Sequence, residues 1–312
     1  MRFSVYQESH IGGRKSNQDR MGYSYTREAA LLLLADGMGG HIQGEVAATI
    51  ALQTMGALFQ ECAKPYVRRP ERFLEDGFFA AHREIQRYRA VNNLPETPRT
   101  TIVACLIQHG NALWAHCGDS RLYWIRAGRI LDRTKDHSRV EMLIAQGKVD
   151  ASERDTHPER NKLFNCLGAP TLPAVEVSRP ASLLPGDLLL LCSDGLWSMV
   201  PDPALVQELQ GNGIGRAVPA LIRAATASGG SRSDNVTALA LHWESPDPMH
   251  EKDAISTLLL PPDAVTTNIQ PLSGPGSHDA DQDIPYDDQA IQNAIDQIRQ
   301  ALDKASDLTP KK

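Results

Sequence analysis

Two short apolar runs, Leu31 to Ala35 and Leu188 to Cys192, each stop abruptly at an acidic residue and a glycine. The first ends in Asp36-Gly37; the second, one serine later, in Asp194-Gly195. Runs this short and this uniformly apolar, bounded by turn residues, predict buried strands. Burial up to the last apolar residue places each carboxylate at the rim of the core. A lone Asp-Gly is ordinarily a turn, but the same construction occurring twice points to two strands that each deliver an acid. Both runs fall far short of the roughly 18 residues that a membrane-spanning helix needs. Residues 1–10 lack the apolar core of a signal peptide.

Two further acids stand beside strand patterns, in Ser233-Asp234-Asn235 ahead of the apolar stretch 236–243 and in Asn17-Gln18-Asp19 beside an early strand. Each alone reads as a surface acid. Four carboxylates converging at strand ends would repel one another and would need cations between them. An all-oxygen donor set selects magnesium or manganese over zinc, and no His or Cys residues cluster at zinc-ligand spacing.

Along the chain, residues 1–36 predict two or three strands. Helical periodicity follows over 45–62 and 71–89, with Val46, Ile50, Met55, Leu58 and Phe59 on one face. Strand patterns at 101–108, 112–117 and 122–126 read as an antiparallel meander. The polar stretch 134–168 predicts a short helix near 140–146 within irregular structure, and so long an irregular stretch is often functional. Strands at 175–177, 187–192 and 236–243 and helices at 203–209 and 215–227 complete the body. Beyond Trp243 the chain turns to Pro, Asp, Ser and Gly, and 245–287 reads as a disordered linker. A predicted amphipathic helix over 288–305 places Ile291, Ile295, Ile298 and Leu302 on one face, available to the body or to another protein, before a short disordered end at 312.

Charge divides along the same boundary. Residues 245–312 hold 12 Asp/Glu against 5 Lys/Arg, whereas residues 1–244 hold 26 against 27. A near-neutral body lacks the basic excess of a nucleic-acid-binding surface. The five cysteines are scattered and form no C-x-x-C pair, which reads as reduced thiols and a cytoplasmic location.

In order along the chain stand Arg14-Lys-Ser-Asn17-Gln-Asp19, Asp36-Gly-Met-Gly-Gly-His41, Gly118-Asp119-Ser-Arg121, Asp136-His-Ser138, Ser193-Asp-Gly-Leu-Trp197 and Ser233-Asp-Asn-Val-Thr237. Each is short, but the ordered set resembles the successive motifs of the bacterial PPM (PP2C-like) metal-dependent protein serine/threonine phosphatases. The resemblance covers residues 14–237 and none of the tail. It implies an α+β fold, a four-layer αββα sandwich of two antiparallel sheets flanked by helices, with a catalytic domain over 1–244.

Carried over by motif, Asp36 would bridge two Mn2+ or Mg2+ ions. Asp194 and Asp234 would complete the first site, and Asp19 with the Gly37 carbonyl would serve the second. Asp119 would help hold a third, weaker ion, against the alternative of a plain turn acid beside Gly118. Arg14 would bind phosphate through its planar guanidinium. The implied reaction is direct attack on phosphoserine or phosphothreonine by a metal-activated bridging water, so Ser193, Ser233 and the cysteines carry no nucleophilic role. Phosphoproteins and an opposing serine/threonine kinase are the implied partners.

Two departures stand out. Met38 occupies the place of the eukaryotic histidine, which leaves His41 as the candidate general acid. In the flap over 136–168, relatives carry Thr-Arg ahead of Leu-Gly, whereas this chain reads Phe164-Asn165-Cys166-Leu167-Gly168. That variant is similar to phosphatases associated with type VI secretion. The competing classes are a catalytically weak phosphoprotein-binding module, which would be expected to lack some of these acids, and a metal-dependent phosphodiesterase, which the neutral body disfavours.

Overall fold

The computed structural model describes residues 1–38, 43–154, 157–160, 162–244, 255–257, 260 and 264–269. His41, Asn161 and the expected helix over 288–305 lie outside the described residues. Met1–Pro271 form one compact unit.

Three strands open the chain: β1 (Arg2–His10), β2 (Asp19–Tyr25) and β3 (Ala29–Asp36), followed by helices α1 (Gly44–Cys62) and α2 (Pro70–Val91). A meander of β4 (Ile102–Gln108), β5 (Asn111–Cys117), β6 (Arg121–Arg126) and β7 (Arg129–Arg133) leads to α3 (Arg139–Ala145). Short strands β8 (Glu176–Val177) and β9 (Ala181–Ser182) precede β10 (Leu188–Cys192), α4 (Asp194–Trp197), α5 (Asp202–Gly211), α6 (Ile214–Gly229) and β11 (Val236–Trp243). Two more strands, β12 (Ile255–Ser256) and β13 (Thr266–Ile269), lie further on.

One sheet runs β12-β1-β11-β10-β6-β7 and the other β13-β2-β3-β4-β5-β8, with β9 also on β5. All the pairings are antiparallel. The leucine runs follow from this layering, because alternate residues of a strand face opposite sides. In β3, Leu31 and Leu33 pack with α1 and α2, while Leu32 and Leu34 face the space between the sheets. In β10, Leu189 and Leu191 point into that same space, and Leu190 and Cys192 pack with α5 and α6. Both faces are covered, so every position is apolar. The result is the expected αββα sandwich.

Structure differs from expectation at the sheet edges. The edge strand β7 is largely solvent-exposed and carries little apolar signal. Inside the segment read as linker, β12 pairs with Arg2 and Phe3, and β13 pairs with Gly22 to Tyr25. An added edge strand bonds through its backbone and needs no long apolar pattern, and no proline falls within either strand. Thr257, fully buried, accepts from the N-terminal ammonium at 2.9 Å and donates to the Arg27 carbonyl at 2.7 Å. The reading of 245–287 as wholly irregular is corrected at these positions.

Candidate metal-dependent active site

Strand pairing assembles the acids. Asp19 opens β2 directly opposite Asp36, which closes β3. Asp194 starts α4 two residues after β10, and Asp234 stands two residues before β11, the neighbour of β10. Asp119 sits in the turn that carries the chain from β5 in one sheet to β6 in the other. All five therefore meet at one end of the sandwich.

Their electrostatics reflect this crowding. Asp36 is held well above the usual carboxylate range, by burial first and then by Asp19, Asp194, Asp119 and Asp234. Asp194 is pushed up to about 7 by burial, Asp234 and Asp19, partly offset by hydrogen bonding with Asp36 and by Arg14. Asp19 is raised to about 6, again by burial first, with hydrogen bonds from Thr237 and Ser193 opposing. Asp119 is held well above its ordinary value by burial, Asp194 and Asp136, against the pull of Arg121. Asp36 and Asp194 keep part of their surface open to solvent, whereas Asp19 and Asp119 are buried.

A hard divalent cation fits this arrangement. Asp19 Oδ1 is buried with no hydrogen-bond donor among the described residues, and an orphaned carboxylate oxygen facing other carboxylates is a costly feature without a counter-cation. The donor set is all oxygen, the chemistry of Mg2+ or Mn2+.

The backbone at Gly37 is closely flanked. A Cβ there would lie 2.4 Å from the Gly44 carbonyl and 2.8 Å from Gln18 O, so no side chain fits between β3 and the start of α1. Gln18 Nε2 donates to Glu45 Oε2 at 2.9 Å across the same junction.

Several residues without an assigned role in the sequence reading hold the acids in place. Ser193 Oγ donates to Asp19 Oδ2 at 2.8 Å and accepts from Thr237 N at 3.1 Å. Thr237 Oγ1 lies 2.6 Å from Ser9 Oγ, which accepts from Asn17 Nδ2 at 2.8 Å; Asn17 Oδ1 accepts from Asp19 N at 3.1 Å. Asn235 is the hub of the loop that carries Arg14. Its Oδ1 accepts from Gln18 N at 2.8 Å, and its Nδ2 donates to the Ile11 and Ser16 carbonyls at 2.9 and 3.0 Å. A signal existed in the motif Ser233-Asp234-Asn235-Val236-Thr237, where polar side chains flank and enter a buried strand.

Arg14 Nη2 donates to Asp234 Oδ2 at 2.6 Å, with about half of the arginine side chain exposed. Arg121 binds both oxygens of Asp136 at 2.8 and 2.7 Å and stacks 3.6 Å over Trp197, whose Nε1 donates to the Asp119 carbonyl at 2.9 Å. The flap closes at its base where Phe164 N donates to His137 O at 3.0 Å and Arg139 N to Lys162 O at 2.8 Å.

A second cluster, His116, His137 and Glu176, brings ligand atoms within 4.8 Å of one another. The two rings stack 4.4 Å apart at 25°, so one ion cannot lie near both ring planes. His137 Nδ1 accepts from Gly118 N at 3.2 Å and from Asn165 Nδ2 at 2.6 Å, which leaves its proton on Nε2 towards Glu176. This is a polar tie beneath the flap. Through it Gly118, at φ 114° where a side chain would be strained, is bound to His137 by both its N–H and its carbonyl.

Comparison with known proteins agrees with this architecture. The serine/threonine protein phosphatase PstP of Mycobacterium tuberculosis is 31% identical over 227 residues, 72% of this chain. The matched region is 42% of that relative's length, so the chain spans less than half of it. A putative protein phosphatase 2C-type protein of Streptococcus pyogenes is 30% identical over 247 residues, 77% of this chain and 97% of its own. Among solved structures, the catalytic domain of PstP in complex with two manganese ions superposes with a TM-score of 0.64 at 28% identity, covering 78% of this chain and 99% of its own. PppA, described as a key regulatory component of T6SS in Pseudomonas aeruginosa, gives 0.61 at 25% identity over 77% of this chain and 97% of its own. The profile described as Protein phosphatase 2C matches residues 6–212, which span β1 to α5 and four of the five acids. With two-thirds of its length in that match and its acids meeting at one end of an αββα sandwich, the chain belongs to the protein phosphatase 2C family.

Proposed function

We propose that the chain hydrolyses phosphoserine and phosphothreonine on proteins, with divalent cations held by Asp19, Asp36, Asp194, Asp234 and the Gly37 carbonyl. The observation that carries this is the convergence of carboxylates around a buried Asp19 oxygen with no described partner, within the fold of a phosphatase family. Mn2+ and Mg2+ both suit the donors, and the bound manganese of PstP favours the former. Asp119, tied through its carbonyl to Trp197 but carrying a raised carboxyl pKa, is assigned to a third, more weakly held ion.

Bound there, the cations would acidify water and neutralise phosphoryl oxygens. The chain's own groups supply the rest. Ser193 and Asn17 orient Asp19 through the hydrogen bonds given above. Arg14, drawn to the site by Asp234 and partly exposed, uses its remaining N–H groups to receive phosphoryl oxygens and fix the phosphorus for in-line attack. His41 is assigned as proton donor to the leaving alkoxide on its place in the sequence, five residues past Asp36.

The substrates would be phosphoproteins, and an opposing serine/threonine kinase follows from that chemistry. All five cysteines are free and four are buried, which suits a reducing, cytoplasmic setting. No helix among the described residues is long and apolar enough to cross a membrane. The catalytic unit is assigned to residues 1–244 with the β12 and β13 edge strands, and the expected amphipathic segment 288–305 to partner recruitment.

The test is turnover of phosphothreonine peptide, phosphotyrosine peptide and nucleic acid, each with Mn2+ and then with excess chelator. Hydrolysis of the phosphothreonine peptide alone, abolished by chelator, is expected. Chelator-insensitive turnover, or cleavage of nucleic acid in preference to the peptide, would overturn the proposal.

A further inference from the structure

One arginine beside the site is held in place yet unengaged. Arg99 O accepts from Met38 N at 3.0 Å, next to the bridge between Gly37 and Thr100, so Arg99 runs alongside the chain that leaves Asp36. Its neighbour Thr100 pairs on the other side with Leu167, through N–H···O contacts of 3.3 and 2.9 Å, on the leg by which the flap returns to the body. Arg99 thus lies in the seam between the carboxylate cluster and the flap.

Its guanidinium makes no hydrogen bond or ion pair with a described residue, although Nε is closed off from solvent. Several cations near the site are engaged: Arg14 with Asp234, Arg121 with Asp136, Arg139 and Lys162 with Glu159, and Arg154 with Glu141. A partly buried guanidinium with no described anion is an unfavourable arrangement that a bound carboxylate would relieve. With Nε enclosed and the residue still partly exposed, the terminal nitrogens offer an end-on fork, which matches a carboxylate.

What reaches that fork is set by its position. Thr100 pairs with Leu167, the neighbour of Cys166, so Arg99 lies against the returning leg of the flap, where it and Asp119 both act on the Cys166 thiol. Arg14 is tied to Asp234 and Arg121 to Asp136, whereas Arg99 pairs with no described acid. Arg14 is the cation assigned above to the phosphoryl group, which leaves Arg99, at the flap seam, for residues that flank the phosphorylated one.

Resting on the phosphatase reading above, we infer that Arg99 is a specificity-determining residue that grips an acidic side chain flanking the phosphoresidue in the substrate, so that the enzyme favours acidic phosphopeptides.

The experiment compares kcat/KM on three phosphothreonine peptides identical except for paired Asp, Ala or Lys flanks, in wild type, Arg99→Gln, Arg99→Lys and Arg99→Glu, each checked for its folded circular dichroism spectrum. The wild type should favour the Asp-flanked over the Ala-flanked peptide by about fivefold at low salt, less as salt screens the pair. Arg99→Gln should lose the preference, Arg99→Lys should keep part of it, and Arg99→Glu should shift it to the Lys-flanked peptide. Retention of the wild-type order by folded Arg99→Gln and Arg99→Glu would overturn the assignment while leaving the phosphatase reading intact. Failure of the wild type to hydrolyse any of the peptides would overturn both.

Discussion

Stripping divalent cations from the protein should make its stability fall as pH rises through neutrality. Asp194 sits at about 7 in the folded chain, well above the ordinary carboxylate value of 3.8, because burial and then Asp234 and Asp19 disfavour its charge. A carboxyl raised in the folded state binds its proton more tightly there than in the unfolded chain. Its contribution is fully present below the unfolded pKa and is lost as pH rises through the folded one. A rise from 3.8 to about 7 corresponds to at most about 4 kcal/mol, and residual solvent at the cleft reduces this. Asp36 and Asp119, held well above the ordinary range, act in the same direction. His82, His116 and His137, lowered chiefly by burial, oppose this trend, but only up to the ordinary imidazole value near 6.5. The informative window is therefore pH 6.5 to 8, in urea unfolding with chelator present. Asp194 alone should lower the urea midpoint across it by an amount equivalent to about 0.8 kcal/mol, and Asp36 and Asp119 add to this. Asp194→Asn should flatten the slope, and saturating Mn2+ should remove it by binding the folded state. A chelated midpoint that stays level or rises from pH 6.5 to 8 would refute the reasoning, because it would mean that the acids are not crowded as described.

Asn235→Ala removes three hydrogen bonds of 2.8 to 3.0 Å from a residue only 5% exposed. At about 1 kcal/mol each, the expected loss is ~3 kcal/mol in urea unfolding, and a change below ~1 kcal/mol would show that the hub is dispensable. Arg14→Ala should raise KM for phosphopeptides several-fold while Mn2+ affinity, read by calorimetry, stays within about twofold; unchanged kinetics in a folded variant would return Arg14 to a surface role. A chain ending at residue 270 should unfold at the midpoint of the full-length protein, whereas one ending at 244 loses β12, β13 and the buried Thr257 and should be destabilised by ~2 kcal/mol or more. Equal stability of the two would mean that the edge strands contribute nothing.

Much of the layered fold was readable from periodicity. The β3 and β10 strands announce themselves because both of their faces are buried, and α1 and α2 because their apolar residues recur at helical spacing. Strands such as β7, β12 and β13 escape notice because an edge can be held by backbone bonds alone, and β12 and β13 are two and four residues long. At the site, the acids stood out as polar endings to apolar runs, yet the Asp19–Asp36 register and the Ser193–Asp19 bond depend on strand pairing between residues 17 and 174 positions apart. The same holds for Asn235, whose three partners lie more than 200 residues earlier. Arg14 was read as a free phosphate ligand, and its ion pair with Asp234 became visible only in three dimensions.

The central claim is that these carboxylates hold the cations on which hydrolysis depends. Calorimetric titration of Mn2+ into metal-free wild type and Asp36→Asn, with phosphothreonine-peptide turnover measured on the same samples, tests it most directly. The account predicts two tightly bound ions in the wild type, the loss of at least one in Asp36→Asn, and a fall in turnover of more than about a hundredfold, equivalent to ~3 kcal/mol in the barrier. A folded Asp36→Asn variant that binds Mn2+ with unchanged stoichiometry and affinity, or keeps turnover within about threefold of wild type, would contradict it.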